Sequence, residues 1–435
     1  MHGHTRSVYS STRPLTRIVV VGFGFGGFSF CREMRRSLGR AGMRDVDLLV
    51  ISDQRYITFT PLLPELAVSR LSAASVSADI ESLAQKLGFR FMLGKVDSID
   101  MRAGKVFVKD EEIEFDIIVL STGSSDNFHG MSISGKKVVS LRDIEDAYVI
   151  AEKLLGSQIT WEMRDEPRYQ VAVIGGGQTG VEAASFLAEK LKEIRQTTSM
   201  YSGGVILLEA SSRILSREPE VASEISERIL RRRGVDCRTN MNIKNIEGSK
   251  IHLSSGETLD ADTIIWAAGI RPNTSLLVTP GVIQTEKGRI VVDAHLEIQG
   301  IKNAYAIGDI ASLKDWDGKT LPENASVAVQ EGRFLAMHIA NSIPEGKHRK
   351  ETGFRYRDFG HVIPLGHDSL FIGPKNLVLT GFPGRVIAWF IHYVELFTNN
   401  NRIRFLCESL AFLGRKENEG QSGDGSGIPP GITAH

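Results

Sequence analysis

The sequence has 435 residues, 42% of them hydrophobic, and its 52 basic side chains are balanced by 52 acidic ones. This length exceeds one ordinary domain and predicts several domains with full hydrophobic cores. Because the chain carries no overall basic field, nucleic acid is not expected as a partner.

Three further features exclude other classes of protein. Residues 1–16 are polar and lack the apolar core of a secretory signal, so they are predicted to form a flexible arm, and export is not expected. Cys31, Cys237 and Cys407 lie far apart without CxxC spacing, which argues against a disulfide framework, a metal site or a dithiol centre and favours a reducing cytosol. No run reaches the ~18 uninterrupted apolar residues of a membrane-spanning helix.

A glycine-rich turn follows the first apolar run of the chain. Gly22, Gly24 and Gly27 come after Ile18–Val21 and before the helix-like run Phe28–Leu38. A phosphate can approach the backbone only where side chains are missing and a helix N-terminus presents free N–H groups. In such a turn the first glycine makes the bend, the second admits a pyrophosphate and the third lets the helix pack on the strand. The pattern predicts a dinucleotide-binding fold.

The second strand of this fold is predicted at Val46–Ile51. Such a strand ends in an acid that hydrogen-bonds the adenine ribose. Here Ser52 and Asp53 follow it, and we predict that both contact the nucleotide. Asp53 lies one residue later than the simplest register, and a role in a surface turn is the alternative.

The same pattern of strand, glycine turn and helix occurs a second time. Gly175, Gly177 and Gly180 follow the apolar run Val171–Ile174 and precede the helix-like run Val181–Leu191. A single match of this kind is weak evidence. Two matches in one chain predict two bound dinucleotides.

The second strand of the second fold ends directly in an acid. Val205–Leu208 is followed by Glu209, which is placed to accept a hydrogen bond from a ribose 2′-OH and would repel a 2′-phosphate. NADH is therefore preferred over NADPH. Arg213 keeps the opposite choice open, since an arginine in this loop can pair with the phosphate.

Small residues end one further strand in each fold. Phe115–Val119 leads to Thr122 and Gly123, and Thr263–Trp266 leads to Gly269. Small residues are expected where the backbone passes close to a nucleotide. These segments are similar to the closing pieces of flavoproteins that bind two dinucleotides.

A last strand, Asn303–Ile307, leads into Gly308 and Asp309. A carboxylate at the end of such a strand can reach the ribityl hydroxyls of a flavin. A helix N-cap is the alternative role for Asp309, and the two roles are compatible.

Together these segments resemble the type II NADH dehydrogenases, single-subunit flavoproteins that oxidise NADH and reduce quinone. The resemblance covers nearly all of residues 17–415. It is carried by the following segments: Val21 to Gly27, Phe59 to Glu65, Phe115 to Ser124, Asn127-Phe128, Ser140 to Ala147, Gly180 to Glu182, Trp266 to Gly269 and Ala306 to Asp309.

The resemblance implies an α/β fold with two Rossmann-like domains and a C-terminal membrane-docking region with amphipathic helices. It implies FAD in the first cradle and NADH in the second. Related disulfide reductases and sulfide:quinone oxidoreductases pass electrons through cysteines near the flavin, and this chain has no such pair. Hydride is therefore expected to pass directly to flavin N5, followed by two-electron reduction of a membrane quinone without proton pumping.

The family's quinone segment, of the form AQxAxQ, matches Ala325 to Gln330. Ser326 replaces the first glutamine, Ala328 is expected beside the cofactor and Gln330 is expected to act on the quinone. The resemblance also implies that Glu182 lies near the flavin and relays protons. Its alternative role is that of a first-turn acid favoured by the helix macrodipole.

Two C-terminal stretches have the pattern of amphipathic helices, one from Val386 to Phe397 and one from Ile403 to Leu413. The resemblance favours docking on the cytoplasmic face of the cell membrane as a peripheral enzyme. A core helix or a contact in a homodimer is the alternative.

The predicted domains follow from these assignments. They are a flexible arm (1–16), a split FAD domain (17–126 and 288–344), an NADH domain (127–287), a docking region (345–415) and a flexible tail (416–435). Two other functions stay open. One is a soluble NAD(P)H-dependent flavin reductase with a non-quinone acceptor. The other is a slow-turnover flavoprotein that acts through a partner, in the manner of apoptosis-inducing factor.

Overall fold

The computed structural model describes residues 15–42, 45–131, 133–134, 138–161, 168–197, 202–277, 279–343 and 352–421. The chain forms two compact units, each built from three stretches of sequence. The first unit contains the residues up to Ile57 together with Asp79–Asn127 and Gly269–Asp358. The second contains Thr58–Ala78, Phe128–Ala268 and the residues from Phe359 onward.

Helices and strands alternate along the chain. The strands are β1 (Thr16–Val21), β2 (Val46–Ser52), β3 (Tyr56–Thr58), β4 (Ser77–Asp79), β5 (Arg90–Leu93), β6 (Ser98–Asp100), β7 (Lys105–Val108), β8 (Glu111–Glu114), β9 (Ile117–Leu120), β10 (Ser124–Asp126), β11 (Ile133–Ser134), β12 (Val138–Val139), β13 (Arg168–Ile174), β14 (Ser202–Leu208), β15 (Val235–Arg238), β16 (Ile243–Glu247), β17 (Lys250–Leu253), β18 (Thr258–Asp260), β19 (Thr263–Trp266), β20 (Ile270–Pro272), β21 (Ile290–Val291), β22 (Ala304–Ala306), β23 (Ala311–Ser312), β24 (His361–Leu365), β25 (Asp368–Gly373) and β26 (Leu377–Leu379). The helices are α1 (Phe25–Ala41), α2 (Leu63–Ala67), α3 (Ala73–Val76), α4 (Ile80–Leu87), α5 (Ile144–Trp161), α6 (Gln178–Thr197), α7 (Glu220–Arg232), α8 (Ala325–Ser342), α9 (Gly381–Glu395) and α10 (Asn399–Gln421), with short 3-10 helices at Thr60–Leu62, Gly308–Ile310 and Pro374–Asn376.

A parallel sheet forms the centre of the first unit. Its strand order is β22-β9-β1-β2-β5, and β1 aligns Ile18 with Leu48 on one side and with Ile117 on the other. The apolar residues Ile18–Val21 are at most 3% exposed. Unbroken apolar runs of this kind are typical of parallel strands buried on both faces of a sheet.

Helices α1 and α8 of the first unit meet at glycines. A Cβ on Gly332 would lie 2.4 Å from the carbonyl oxygen of Gly26 and 3.0 Å from the backbone nitrogen of Phe30. Only glycine permits so close an approach of two helix backbones. The contact fixes α8 against the helix that follows the first glycine turn.

A second parallel sheet forms the centre of the second unit, with strand order β12-β19-β13-β14-β15. β13 aligns Ala172 with Ile206 of β14 and with Ile264 of β19. Side chains of this sheet share one hydrophobic core with the smaller sheet β11-β16-β17-β18, where Ile251 is fully buried. Each unit therefore has its own Rossmann-like sheet.

The C-terminal part of the second unit begins with an antiparallel sheet, β24-β25-β26. Helix α9 packs on β25, and a Cβ on Gly384 of α9 would lie 2.5 Å from the carbonyl oxygen of Ser369. The sequence patterns did not indicate this sheet.

Helix α10 is fastened to the segment that contains α3. The carboxylate of Glu408 accepts hydrogen bonds from Ser72 N at 2.9 Å, Ser72 Oγ at 2.7 Å and Ser75 Oγ at 2.6 Å. Asn401 is 2% exposed and donates to the carbonyl oxygens of Ala74 and Ser77 at 2.9 and 2.7 Å. Neutral and charged hydrogen bonds together hold the helix in one register.

The predicted α/β class, with two Rossmann-like sheets and C-terminal amphipathic helices, is confirmed. Most of the predicted arm and tail lies outside the described residues. Within the described residues, β1 begins at Thr16 and α10 continues to Gln421. In the part of the chain that the structure describes, no helix has the length and apolar character needed to cross a bilayer.

Candidate functional site

In the first glycine turn, the packing of the fold requires two of the three glycines but not the central one. Gly22 has a φ of +91°, and a Cβ there would lie 2.3 Å from the carbonyl oxygen of Ser121. A Cβ on Gly27 would lie 2.6 Å from the carbonyl oxygen of Gly22. A Cβ on Gly24 would meet no described atom within 4 Å. The space above Gly24 is left for something other than the protein's own packing.

The second glycine turn repeats this arrangement. Gly175 has a φ of +104°, and a Cβ there would lie 2.5 Å from the carbonyl oxygen of Ala267. A Cβ on Gly180 would overlap the carbonyl oxygen of Gly175, whereas one on Gly177 would again meet no described atom within 4 Å. Each unit thus has a turn with an open central glycine at the start of a helix.

The helices that follow these turns are suited to an anion. Helix α1 begins after Gly24, which has extended backbone (φ −82°, ψ −158°) and offers no side-chain cap. Neither α1 nor α6 has an acid in its first turn. The N–H groups and the positive end of the helix dipole are therefore available to a phosphate in both cradles.

In the first cradle, strand β2 ends at Ser52, which is buried, and its hydroxyl accepts a hydrogen bond from Gln54 N at 3.2 Å. Asp53 is the first residue after the strand and is exposed. The position is open to a ribose, and the binding role of Asp53 stays a prediction.

In the second cradle, Glu209 lies at the end of β14 and its carboxylate is fixed by backbone donors. It accepts hydrogen bonds from Gly176 N at 2.5 Å and from Ser211 N at 2.7 Å. The Arg213 guanidinium instead donates to three carbonyl oxygens of its own loop, at 2.8–2.9 Å. The acid therefore faces the glycine turn, while the arginine is already engaged.

The small residues of the first unit form a closed backbone network. Thr122 Oγ1 donates to the carbonyl oxygen of Asn273 at 2.8 Å, and Asn273 N donates to the carbonyl oxygen of Gly123 at 3.0 Å. Gly269 has a φ of +119°, and its carbonyl oxygen accepts from Asn127 N at 3.1 Å. Gly123 and Gly269 thus directly precede the two strands of the antiparallel pair β10 and β20.

Asp309 follows Gly308, whose φ is +73°. Its Oδ2 accepts a hydrogen bond from Ser124 Oγ at 2.6 Å, and no side-chain cap is formed at this 3-10 helix. The Gly308 N–H donates at 2.6 Å to Glu331, a buried acid on α8. Burial is the main cause that raises the pKa of Glu331 to about 8, against the opposing effect of the Gly308 hydrogen bond. Sequence reasoning missed Glu331, because its partner lies 23 residues away.

The first two turns of α8 hold Ala325 to Gln330, the segment that the resemblance matches to the form AQxAxQ. Ala328 is buried, and its Cβ lies 3.4 Å from the position of a Cβ on Gly308. Gln330 clamps the backbone of Arg357: its Nε2 donates to the carbonyl oxygen at 2.9 Å and its Oε1 accepts from the N–H at 3.1 Å. Gln330 Nε2 also lies 3.3 Å from Ser326 Oγ, and Tyr356 Oη lies 3.5 Å from the same oxygen.

Glu182 lies in the second unit, beyond the first turn of α6. Burial, and next the charge of Glu65, raise its pKa well above the ordinary value. Burial likewise raises the pKa of Glu65 to about 7, although Arg70 and Arg385 oppose the shift. The position of Glu182 past the first turn of α6 argues against the macrodipole role. Sequence reasoning missed Glu65, although an acid within the apolar segment Phe59 to Ala67 was an available signal.

Two of the charges around Glu65, Arg70 and Glu189, are paired with each other. Arg70 forms an ion pair with Glu189 of α6, and Glu189 also pairs with Arg233. Arg233 reaches Asp368 at 2.8 Å. Within the described ranges, no three histidine, cysteine, aspartate or glutamate side chains are grouped as a metal site would require.

The sequence profile of the pyridine nucleotide-disulphide oxidoreductases matches residues 16–332, the part of the chain that holds both glycine turns. The chain belongs to this family. Within the family, a demethylphylloquinone reductase, NdbB, of Synechocystis is 25% identical over 401 residues and covers 89% of this chain and 93% of its own. A type II NADH:quinone oxidoreductase of Staphylococcus haemolyticus is 25% identical over 366 residues, with coverage of 82% and 89%.

The fold of the family is seen again in a structure of NDH2 from Plasmodium falciparum in complex with NADH. It has a TM-score of 0.82, is 20% identical, and covers 92% of this chain and 98% of its own. At this identity the comparison shows a shared fold.

No two of the three cysteines, all of which lie within the described residues, are paired. The cysteines are all free; Cys31 and Cys237 are buried and Cys407 is exposed. Burial raises the pKa of Cys237 to about 12 and raises that of Cys31 as well. Buried neutral thiols that lie apart in the sequence are packing residues and do not form an exchange centre.

Proposed function

We propose that this chain oxidises NADH with FAD as its bound flavin and passes two electrons to a membrane quinone, without pumping protons. The observation that carries this proposal is the pair of open central glycines, Gly24 and Gly177. In each turn the protein's own backbone requires the outer glycines, and the approach of a ligand explains the central one.

FAD fits the cradle of the first unit. The turn Gly22–Gly27 and the N-terminus of α1 would hold its pyrophosphate, Asp53 its adenine ribose and Asp309 its ribityl chain. Ser52, Thr122, Gly123 and Ala328 would lie along it. When bound, the flavin supplies the redox chemistry, since it accepts a hydride and gives up two electrons. The chain's residues bind it, orient it and exclude water.

NADH fits the cradle of the second unit. Gly175, Gly177 and Gly180 would admit its pyrophosphate, and Glu209 would accept hydrogen bonds from its adenine ribose. The pairing of Arg213 with carbonyl oxygens of its own loop supports NADH over NADPH. A 2′-phosphate would have to break those bonds and face the Glu209 carboxylate.

A quinone is the acceptor that the relatives support. Those compared above are named for the reduction of demethylphylloquinone or quinone. The lack of a cysteine pair supports direct hydride transfer, as opposed to a dithiol relay. Reduction of a quinone also consumes protons, and we assign their relay to Glu182 with Glu65 beside it.

The C-terminal helices support docking on a membrane surface. Phe382, Val386, Phe390 and Val394 lie four residues apart along α9 and are 47–78% exposed, so they form one apolar stripe. On α10, Ile403 and Leu410 are exposed as well. We infer peripheral binding at the cytoplasmic face of the membrane. The same stripe would suit a homodimer contact, which sizing of the protein without lipid tests.

Anaerobic flavin spectroscopy tests the proposed function. NADH added to the purified holoenzyme should bleach the flavin band within seconds, and a short-chain ubiquinone analogue should restore it. Bleaching without reoxidation would favour a reductase with a non-quinone acceptor. A long-lived reduced complex that oxidants do not discharge would favour a protein that acts through a partner. A preparation that binds no flavin would overturn the assignment of the first cradle.

A further inference from the structure

Glu331 of α8 is a buried carboxyl group that the proposed function does not use. It is 1% exposed. Among the residues that the structure describes, the backbone N–H of Gly308 is the single donor that is hydrogen-bonded to it, at 2.6 Å. A carboxylate kept out of water requires a cation or several donors to stabilise its charge. One backbone donor does not meet this requirement, so the charged form of Glu331 is costly.

Arg289 is the cation that acts on Glu331, but its guanidinium is engaged by other partners. It is buried and donates to the carbonyl oxygens of Ala311 and Leu321. It also lies 3.7 Å from the carboxylate of Glu323. A cation that is shared among these acceptors offsets only part of a second negative charge.

The other elements packed against Glu331 add no positive charge. Asp309, on the 3-10 helix that begins at Gly308, is an acid and disfavours a second charge beside it. On α1, the residues that meet the neighbouring position Gly332 are uncharged. Burial is therefore the dominant influence, and it raises the pKa of Glu331 to about 8.

Glu331 lies between the two segments that are proposed to hold FAD. Its side chain is bonded to Gly308, and the next residue, Asp309, is assigned to the ribityl chain. Its neighbour in α8, Gly332, packs on the first glycine turn, since a Cβ there would lie 2.4 Å from the carbonyl oxygen of Gly26. A charge on Glu331 is therefore part of the wall of the first cradle, where water is scarce and charges interact strongly.

We propose that Glu331 binds a proton when the flavin is reduced and releases it when the flavin is oxidised, so that it links the potential of the flavin to pH. Hydride transfer from NADH leaves NAD+ and adds one negative charge to the flavin. This charge disfavours another one on Glu331, and the carboxylate then takes one proton from solvent. Removal of the two electrons by the acceptor reverses the change. This role rests on the proposed function, because it requires FAD in the first cradle.

Ionised Glu331 should lower the potential of the flavin, whereas neutral Glu331 should leave it unchanged. Well below pH 8 the carboxyl is neutral in both redox states and has no effect. Above about pH 8 it is ionised while the flavin is oxidised, and reduction becomes less favourable because it must overcome the repulsion or bind a proton. The potential of the wild type should therefore fall more steeply with pH in this range than that of a variant without the carboxyl.

Redox titration of the bound flavin as a function of pH tests this role. Glu331→Gln keeps an acceptor for the Gly308 N–H and cannot ionise, so its potential should equal that of the wild type at about pH 6. At about pH 10 the ratio of reduced to oxidised flavin at a fixed potential should be about tenfold lower in the wild type, a difference of about 30 mV. Glu111→Gln changes an exposed glutamate on β8 of the same unit and should follow the wild type throughout.

Proton uptake on reduction gives a readout that does not depend on turnover. Anaerobic reduction by dithionite in weak buffer near pH 8.5, followed with a pH dye, should bind roughly half a proton more per flavin in the wild type than in Glu331→Gln. The infrared difference spectrum between the reduced and oxidised wild type should gain the C=O stretch of a neutral carboxyl group. Glu331→Gln should lack this band, and Glu111→Gln should retain it.

The results separate the role of Glu331 from the proposed function. A preparation that binds no flavin would overturn both. If the wild type binds flavin and its potential has the same pH dependence as that of Glu331→Gln, only the role of Glu331 is overturned. An equal offset of the variant at every pH would mean that Glu331 supports the backbone of Gly308 without proton linkage. A wild-type slope that does not change across pH 8 would reject the linkage without any variant.

Discussion

Glu209 accepts a hydrogen bond from the backbone N–H of Gly176. The acid that follows β14 is therefore bonded to the glycine turn that follows the neighbouring strand, β13. The bond holds the Glu209 carboxylate beside the glycine turn. A ribose diol bound there would share this carboxylate with the Gly176 N–H or displace the N–H from it. Two residues that follow neighbouring strands but lie 33 apart in the chain thus define one side of the second cradle.

Glu209→Ala should raise the KM for NADH about tenfold with a smaller effect on kcat, because a hydrogen bond to a carboxylate is lost in both the ground state and the transition state. Steady-state kinetics with saturating quinone measure this change. Glu224→Ala, an exposed acid on α7 of the same unit, is the control and should behave as wild type. An unchanged KM in Glu209→Ala would remove the ribose assignment.

Gly24→Ala and Gly22→Ala should separate ligand binding from folding. A Cβ on Gly24 meets no described protein atom, so the apoprotein should melt at nearly the wild-type temperature while FAD affinity falls roughly tenfold or more. A Cβ on Gly22 overlaps the Ser121 backbone at a φ of +91°, and the strain of φ alone costs about 1–3 kcal/mol. The flavin content of the purified variants measures the loss of FAD, and calorimetry measures their melting temperatures. Full FAD occupancy in Gly24→Ala would contradict the cradle.

Glu65 should make the free energy of unfolding depend on pH. Its pKa is about 7 in the folded protein, against an ordinary value of 4.5, so the folded state binds more protons than the unfolded chain between these values. Stability should therefore be fully present below about pH 4.5 and fall as the pH rises to about 7. Glu65→Gln should flatten this part of the profile and gain about 1–3 kcal/mol at pH 8.

Urea unfolding from pH 4 to pH 9 measures the effect of Glu65. Glu81→Gln, which changes an exposed glutamate on α4, should leave the profile unaltered. Parallel profiles for wild type and Glu65→Gln would mean that the pKa of Glu65 is the same in the folded and the unfolded chain.

The apolar stripe on α9 should determine binding to lipid vesicles. Phe382 and Phe390 are 78% and 59% exposed, and changing both to serine should lower the partition coefficient to anionic vesicles at least about tenfold. Phe359→Ser is the matched control, because Phe359 is an exposed phenylalanine of the same unit outside the helices. Sedimentation with vesicles measures the partition. If the control loses binding to the same extent, the stripe is not the docking surface.

Much of the fold was predictable because its signals are local. Each strand, glycine turn and helix of the two cradles follows within about 20 residues, and the geometry of Gly22 and Gly175 depends on backbone that any such turn must approach. The position of Glu209 directly after β14 was predictable for the same reason, and its contact with a ribose stays a prediction. The family and the α/β class are confirmed.

The missed features depend on contacts between distant parts of the chain. Glu331 meets Gly308, and Tyr356 meets Ser326, only after α8 has packed. Glu65 acquires its raised pKa from burial and, to a smaller extent, from the charge of Glu189 on α6. The strands β24 to β26 are short and pair mainly with each other, so their pattern is weak. The roles of Asp53, Glu182 and Gln330, and the predicted domain limits, stay predictions.

The hydrogen bonds of Asn401 and Glu408 have a mechanical consequence. They tie α10 to residues 72–77 at five points, so this helix cannot swing as an independent paddle. Any load that a lipid surface places on α10 is transmitted to α3 and, through the few residues before it, to the short helix that carries Glu65. The proposed docking surface and the proposed proton relay in the second unit are thus mechanically connected.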